Sequence, residues 1–139
     1  MKIIALQYFL DKKTAVNAET LTLDTVGGIV GDCHYGPGDR QVALFSVEAM
    51  REIAEDPEKG LCFKRYKPNI LMEGFLVKEH KKGSTLTCGD AELEITGYKE
   101  CFPDKCPLSG HGIVCPLQRS VAFARVVKDG TVKLGDEAK

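Results

Sequence analysis

STLTCGDAELEITG, residues 84 to 97, limits what this chain can fold into more than any other stretch. Ala91, Leu93 and Ile95 alternate with Glu92 and Glu94, the period of a strand with one dry and one wet face. Gly89 and Asp90, between two such runs, predict a hairpin turn. Similar signals recur along the chain. VAFARVV, KDG and TVKLG, residues 121 to 135, predict a second hairpin that turns at Asp129 and Gly130. Residues 2 to 10 read as a strand, ETLTLDTV at 19 to 26 as a half-buried strand, and RQVALF at 40 to 45 as a fully buried one. Ser46 can then cap a short helix with Val47, Met50, Ile53 and Ala54 on one face and Glu48 in its first turn, ending near Asp56 and Pro57. Many short strands with one clear helix predict a mainly β fold, a closed or nearly closed β-barrel with one or a few short helices. Its 139 residues, without repeat or linker, fit one domain over 1–139.

Composition narrows the partners. Hydrophobic residues make up 43% and charged residues 28%, ordinary for a globular chain. A net charge of -1 offers no field to gather nucleic acid or an anionic membrane, so neither is an expected partner. The opening MKIIALQYFL imitates a signal peptide, but Gln7 interrupts the apolar run, Asp11 follows it, and no small-residue cleavage site appears. No run approaches the roughly 18 apolar residues of a membrane span. The expected compartment is the cytoplasm, where the six cysteines would stay reduced rather than pair as disulfides.

Two stretches could carry chemistry. KECFPDKCPLSGHGIVCPL, residues 99 to 117, holds Cys101, Cys106, Cys115 and His111. The spacing lacks the tight Cys-x2-Cys knuckles of structural zinc, although four convergent N or S ligands could still wrap zinc or an iron–sulfur cluster. Lys99, Lys105 and Arg119 lie near these thiols in sequence, and neighbouring cations raise the thiolate fraction that a nucleophile needs. Cys62 and Cys88, in apolar or strand contexts, read as core residues. The second stretch is GDCHYGPGDRQV, 31 to 42, within a glycine-rich loop. Asp32 and His34 flank Cys33, so Asp32 could orient His34 or accept from a ligand, and Arg40 could hold a phosphate or carboxylate. The same residues also read as a surface turn capped by Asp and Gly. RYKPN, 65 to 69, adds Arg65, Lys67 and Asn69, either a solvated loop or half of an anion pocket. His80, within Glu-His-Lys-Lys, reads as surface.

These residues, taken in order, resemble a known family. Gly-Ile-Val-Gly-Asp32-x-His34, Arg40-Gln41-Val42, Arg65 with Asn69, the Gly89 turn leading into Leu93-Glu94-Ile95 and Cys101, and Ala124-Arg125-Val126-Val127 running to Gly135-Asp136 are similar to the MOSC domain of molybdenum cofactor sulfurases. The resemblance covers about residues 18 to 136 and rests on order and spacing together. It implies a β-barrel with a cleft for a molybdenum–pterin cofactor, lined by Asp32, His34, Arg40, Arg65 and Asn69. It implies that Cys101 ligates molybdenum, as in the amidoxime-reducing relatives, with Cys106 the competing thiol. The resemblance departs from the family in three ways: the chain has no pyridoxal-phosphate domain, no accompanying N-terminal barrel, and Phe102-Pro103-Asp104 and two further cysteines follow Cys101. No lysine context argues for pyridoxal phosphate here.

The expected function is therefore binding of a molybdenum–pterin cofactor, or carriage of sulfur as a cysteine persulfide for metal–sulfur cofactor assembly. Cys101 is the expected nucleophile and Cys106 or Cys115 the resolving thiol. The expected partners are a sulfur donor such as a cysteine desulfurase, and a molybdoenzyme or cofactor-synthesis protein. Two alternatives stand beside it: a molybdenum-dependent reductase of N-hydroxylated compounds, and a structural zinc or iron–sulfur module built on the 101–115 loop.

Overall fold

The computed structural model describes residues 1–11, 14–48, 51, 68–75, 79–98 and 121–139. They form ten strands: β1 (Lys2–Phe9), β2 (Ala15–Ala18), β3 (Thr20–Asp24), β4 (Gly28–Ile29), β5 (Val42–Ser46), β6 (Ile70–Glu73), β7 (Thr85–Cys88), β8 (Ala91–Tyr98), β9 (Val121–Lys128) and β10 (Gly130–Lys133). Seven of them make one strongly curled sheet in the order β2-β1-β6-β5-β9-β8-β7, a half-barrel that does not fully close. The other three form a small sheet, β10-β3-β4.

Side-chain patterning explains each placement. In β8, Ala91, Leu93 and Ile95 are buried while Glu92 and Glu94 lean outward, and the strand pairs antiparallel with β7 across the Gly89-Asp90 turn. The apolar run in β5 is buried along its whole length, as a central strand covered on both faces must be. It pairs parallel with β6 and antiparallel with β9. Register shifts in β1 at Ile3/Ala5 and in β8 at Glu92/Leu93 and Ile95/Gly97 add local twist, which helps to curl the sheet. Ile3, Leu6, Leu23, Leu44, Ile70, Met72, Leu93 and Ala124 belong to one buried apolar cluster inside the curl. The C-terminal residues bond to Ile3 on β1 and to Thr87 on β7, clasping strands near opposite ends of the sheet.

One expectation is corrected. Residues 121–135 do not form a hairpin: β9 pairs with β5 and β8, whereas β10 crosses to the small sheet and pairs with β3. Only Asp129 lies between the two strands, too little for a hairpin loop of the usual kind. The corner is held from both sides. The Thr25 amide donates to Asp129 Oδ1 at 2.7 Å, and the Asp90 amide donates to the Thr131 carbonyl at 3.2 Å. The short strands β2, β4 and β6 carry no pattern long enough to be read from sequence. The helix after Ser46 begins as expected, with Val47 buried and Glu48 exposed. Met50, Ile53, Ala54, Asp56 and Pro57 lie outside the described residues. Among the described residues, no helix is long and apolar enough to cross a membrane.

Candidate functional site at the Asp32 turn

The site is built where the loop after β4 meets the end of β1. Gly28 has φ +101°, and a Cβ there would stand 2.6 Å from Gln41 Cβ, so the chain can pass this close to β5 only as glycine. After Ile29 the backbone turns, with the Asp32 amide donating to the Ile29 carbonyl at 3.2 Å and the Cys33 amide to the Phe9 carbonyl at 2.7 Å. Asp32 is thereby buried. Its Oδ2 accepts from the Phe9 amide and from Asn69 Nδ2, each at 3.1 Å. Its Oδ1 accepts from the His34 amide at 2.7 Å and lies 3.0 Å from His34 Nδ1.

Asn69, just before β6, is the partner that holds this carboxylate in place. Its Oδ1 accepts from the Ala43 amide at 3.0 Å, and its Nδ2 also donates to the Gln7 carbonyl at 3.3 Å. One buried amide side chain therefore ties β1, β5 and the Asp32 turn together. Among the described residues, no buried side-chain polar atom lacks a partner.

The outer face of the turn is different. The His34 side chain is 54% exposed against 2% for Asp32. A carboxylate can only accept, so His34 Nδ1 carries the hydrogen between them, and in the neutral ring Nε2 then offers its lone pair to the solvent side. Cys33 is exposed, with Sγ 3.5 Å from His34 Nδ1. The Phe9 ring meets the imidazole edge-on at a centroid distance of 6.5 Å. Below the turn, the Tyr35 hydroxyl donates to Asp24 Oδ2 at 2.7 Å, and the Gly27 amide donates to Asp24 Oδ1 at 2.8 Å. The Gly27 amide, together with the Tyr35 hydroxyl, holds Asp24 below the usual carboxylate range, and bonding to that anion pushes the Tyr35 phenol up.

Arg40 is exposed and stands over an aromatic ring, with Cζ 4.6 Å from the Phe123 centroid. Further along the sheet, Arg125 Nε meets Glu94 Oε2 at 2.6 Å. Two clefts open near this ion pair, one of about 350 Å³ lined in part by Thr25, Asp39, Gln41 and Arg125, the other of about 210 Å³ lined in part by Lys82, Thr96 and Arg125. Neither contains Asp32, His34 or Asn69 in its wall. Donor chemistry rather than cavity volume therefore marks the Asp32 turn as the candidate site.

Of the residues singled out in sequence, Asp32, His34 and Asn69 come together: Asp32 and Asn69 lie inside, and His34 projects from them. Arg40 stands on Phe123. Arg65, Lys67, Cys62, Lys99, Cys101, Lys105, Cys106, His111, Cys115 and Arg119 lie outside the described residues. Cys88 lies in the core, where burial, reinforced by the charge of Asp136, pushes its thiol up to about 12. His80 is half-buried against Phe75, the rings stacked at 5.2 Å. Sequence reasoning gave Cys33 no role. Its signal was its place between an acid and an imidazole in a turn, and the 101–115 cysteines outweighed it.

No protein-family model matches the chain, and no curated protein matches it in sequence. The arrangement of the strands decides the comparison instead. The chain resembles YuaD from Bacillus subtilis. The two share a TM-score of 0.70 at 22% identity, over 99% of this chain and 93% of YuaD. YiiM from Geobacillus stearothermophilus gives a TM-score of 0.64 at 14% identity, over 99% of this chain and 73% of YiiM. YiiM from Escherichia coli gives 0.61 at 19%, over 100% of this chain and 69% of YiiM. At such identities the likeness to YuaD and YiiM is one of fold.

Proposed function

We propose that this chain is a MOSC-type domain that binds a molybdenum–pterin cofactor and carries sulfur to it as a cysteine persulfide. The observation that carries this reading is the Asp32 turn: a buried, fully bonded carboxylate that fixes an exposed imidazole on a curled β sheet. The motif order of the MOSC resemblance and the fold shared with YuaD and YiiM support it.

The residues present fit such a group. A pterin cofactor ends in phosphate, and Arg40, over the Phe123 ring with its N–H fork uncommitted among the described residues, suits a phosphate. His34 Nε2, held outward by the bond from Nδ1 to Asp32, suits an N–H of the ring system or the metal itself. Asp32 and Asn69, with their polar atoms committed, act as positioning residues that keep His34 and the end of β1 in register. When bound, the cofactor supplies the molybdenum that accepts sulfur. The protein's own step is thiol chemistry. The Cys101 thiolate attacks the outer sulfur of a donor persulfide, a new S–S bond forms at Cys101 as the donor S–S bond breaks, and the donor leaves as thiolate. Cys106 or Cys115 can then attack the inner sulfur of Cys101 and release the outer one as hydrosulfide, leaving a disulfide.

Intact-mass analysis after incubation with a cysteine desulfurase and cysteine tests this. The expected result is a gain of one sulfur that disappears in Cys101→Ala. A gain lost instead in Cys106→Ala would move the role to that thiol. No gain, together with no molybdenum retained after expression in a host that makes the cofactor, would sink the reading.

A further inference from the structure

Asp32, Cys33 and His34 bring three unlike ligand atoms together: a carboxylate oxygen, a sulfur and an imidazole nitrogen, all within 4.8 Å of one another. Nδ1 lies 3.5 Å from Cys33 Sγ and 3.0 Å from Asp32 Oδ1. In a tetrahedral zinc site with bonds of about 2.3 Å to sulfur and about 2.0–2.2 Å to nitrogen or oxygen, neighbouring ligand atoms stand roughly 3.3–3.6 Å apart. The sulfur–nitrogen spacing already meets this, and the nitrogen–oxygen pair needs to open by only a few tenths of an ångström. Cys33 is exposed, so rotation of its side chain can bring Sγ the rest of the way to the oxygen.

We propose that Asp32, Cys33 and His34 form a three-ligand site for a zinc-class divalent cation, with a fourth position open to water or a small ligand. The donor set selects the ion: thiolate with imidazole favours zinc over magnesium or calcium, which take all-oxygen shells. The support around it is of the kind that metal ligands need. Oδ2 of Asp32 is locked by the Phe9 amide and Asn69, while Oδ1 keeps the His34 amide and turns its other lone pair to the ion. On binding, the imidazole hydrogen moves from Nδ1 to Nε2, the Cys33 thiol releases one proton to solvent, and no electrons change hands. His34 thereby changes from an acceptor to a donor on its exposed side. The site uses none of the 101–115 cysteines and so is independent of the persulfide step, but it draws on the same imidazole as the molybdenum reading: zinc on Nδ1 leaves Nε2 an N–H donor, which excludes Nε2 from ligating molybdenum.

Cobalt(II) titration of the metal-free full chain tests it, read by the thiolate-to-cobalt charge-transfer band and the intense d–d bands of tetrahedral cobalt, with zinc as competitor. The bands should form in the wild type and in the triple variant Cys101→Ser, Cys106→Ser, Cys115→Ser. Cys33→Ser should lose the charge-transfer band, and His34→Ala should weaken binding by at least the roughly 10–100-fold that disturbing a ligand's surroundings costs. Both substitutions are at exposed positions, and an unchanged urea midpoint without metal confirms that each variant is folded. A charge-transfer band that survives Cys33→Ser, bands that vanish in the triple variant, or no bands in the wild type would each overturn the proposal. The persulfide assay leaves Cys33 and His34 intact, so its failure and this one are distinguishable.

Discussion

A single carboxylate organises the site, and its cost of removal can be stated. Asp32 accepts at both oxygens, from the Phe9 amide and Asn69 on one side and from His34 on the other. Asp32→Asn keeps the shape but turns an NH2 group toward N–H donors on one of those sides. Hydrogen bonds to a charged group are worth about 1.5–3 kcal/mol, and a buried donor left facing a donor loses its whole desolvation. Asp32→Asn should therefore lower stability by about 2–4 kcal/mol, read as a fall in the urea midpoint at unchanged slope. An unchanged midpoint would show that the carboxylate does not tie the turn to β1. The Gly-Asp-x-His string made an Asx-type turn legible in sequence, because an acid two residues before a histidine can bond its amide locally. Asn69 lies 37 residues away, and nothing local marks it as the residue that closes the other half of the carboxylate.

At the scale of elements, what could be read depended on periodicity. β8 and β5 were legible because one alternates and the other is continuously apolar, each the mark of its burial. The two-residue β4 and four-residue β2 exist only because neighbours supply their partners, so no pattern within them could announce them. The corner between β9 and β10 shows the same limit: Lys-Asp-Gly suits a turn, but the turn's direction is set by what Gly130 touches. A Cβ at Gly130 would lie 2.4 Å from the Asp90 carbonyl carbon and 2.5 Å from the Ala91 nitrogen, both backbone atoms that cannot swing aside. Gly130→Ala should thus push the β9–β10 corner off the β7–β8 turn and destabilise the fold by about 1–3 kcal/mol, the usual range for overpacking. Urea denaturation checks it, and a neutral result would mean that the corner is looser than its contacts indicate.

Across the whole molecule, the curled sheet depends on a clasp. The Ile3 amide donates to the Asp136 carbonyl at 2.9 Å and the Ala138 amide to the Met1 carbonyl at 2.8 Å, while Thr87 and Lys139 exchange amide–carbonyl bonds of 2.7 and 2.9 Å. Ala138 is buried, and its backbone bridges to Cys88, itself buried. The clasp thus seals the thiol, and burial, with Asp136 adding to it, pushes that thiol up to about 12. In the intact protein a thiol reagent should label Cys33 readily and leave Cys88 untouched. Ala138→Asp, which puts a charge where a methyl group sits, should release the clasp and expose Cys88 to alkylation, read by peptide mass mapping. A pH dependence follows with a definite sign. Because the folded thiol is raised, the stability it contributes is full below the unfolded thiol value of about 8.5 and is lost as pH climbs toward about 12. Between pH 8 and pH 10 the wild type should lose on the order of 2 kcal/mol more stability than Cys88→Ala, by urea titration at each pH. Equal losses in the two proteins, or rapid alkylation of Cys88 without any substitution, would show that the C-terminal residues do not close the curl.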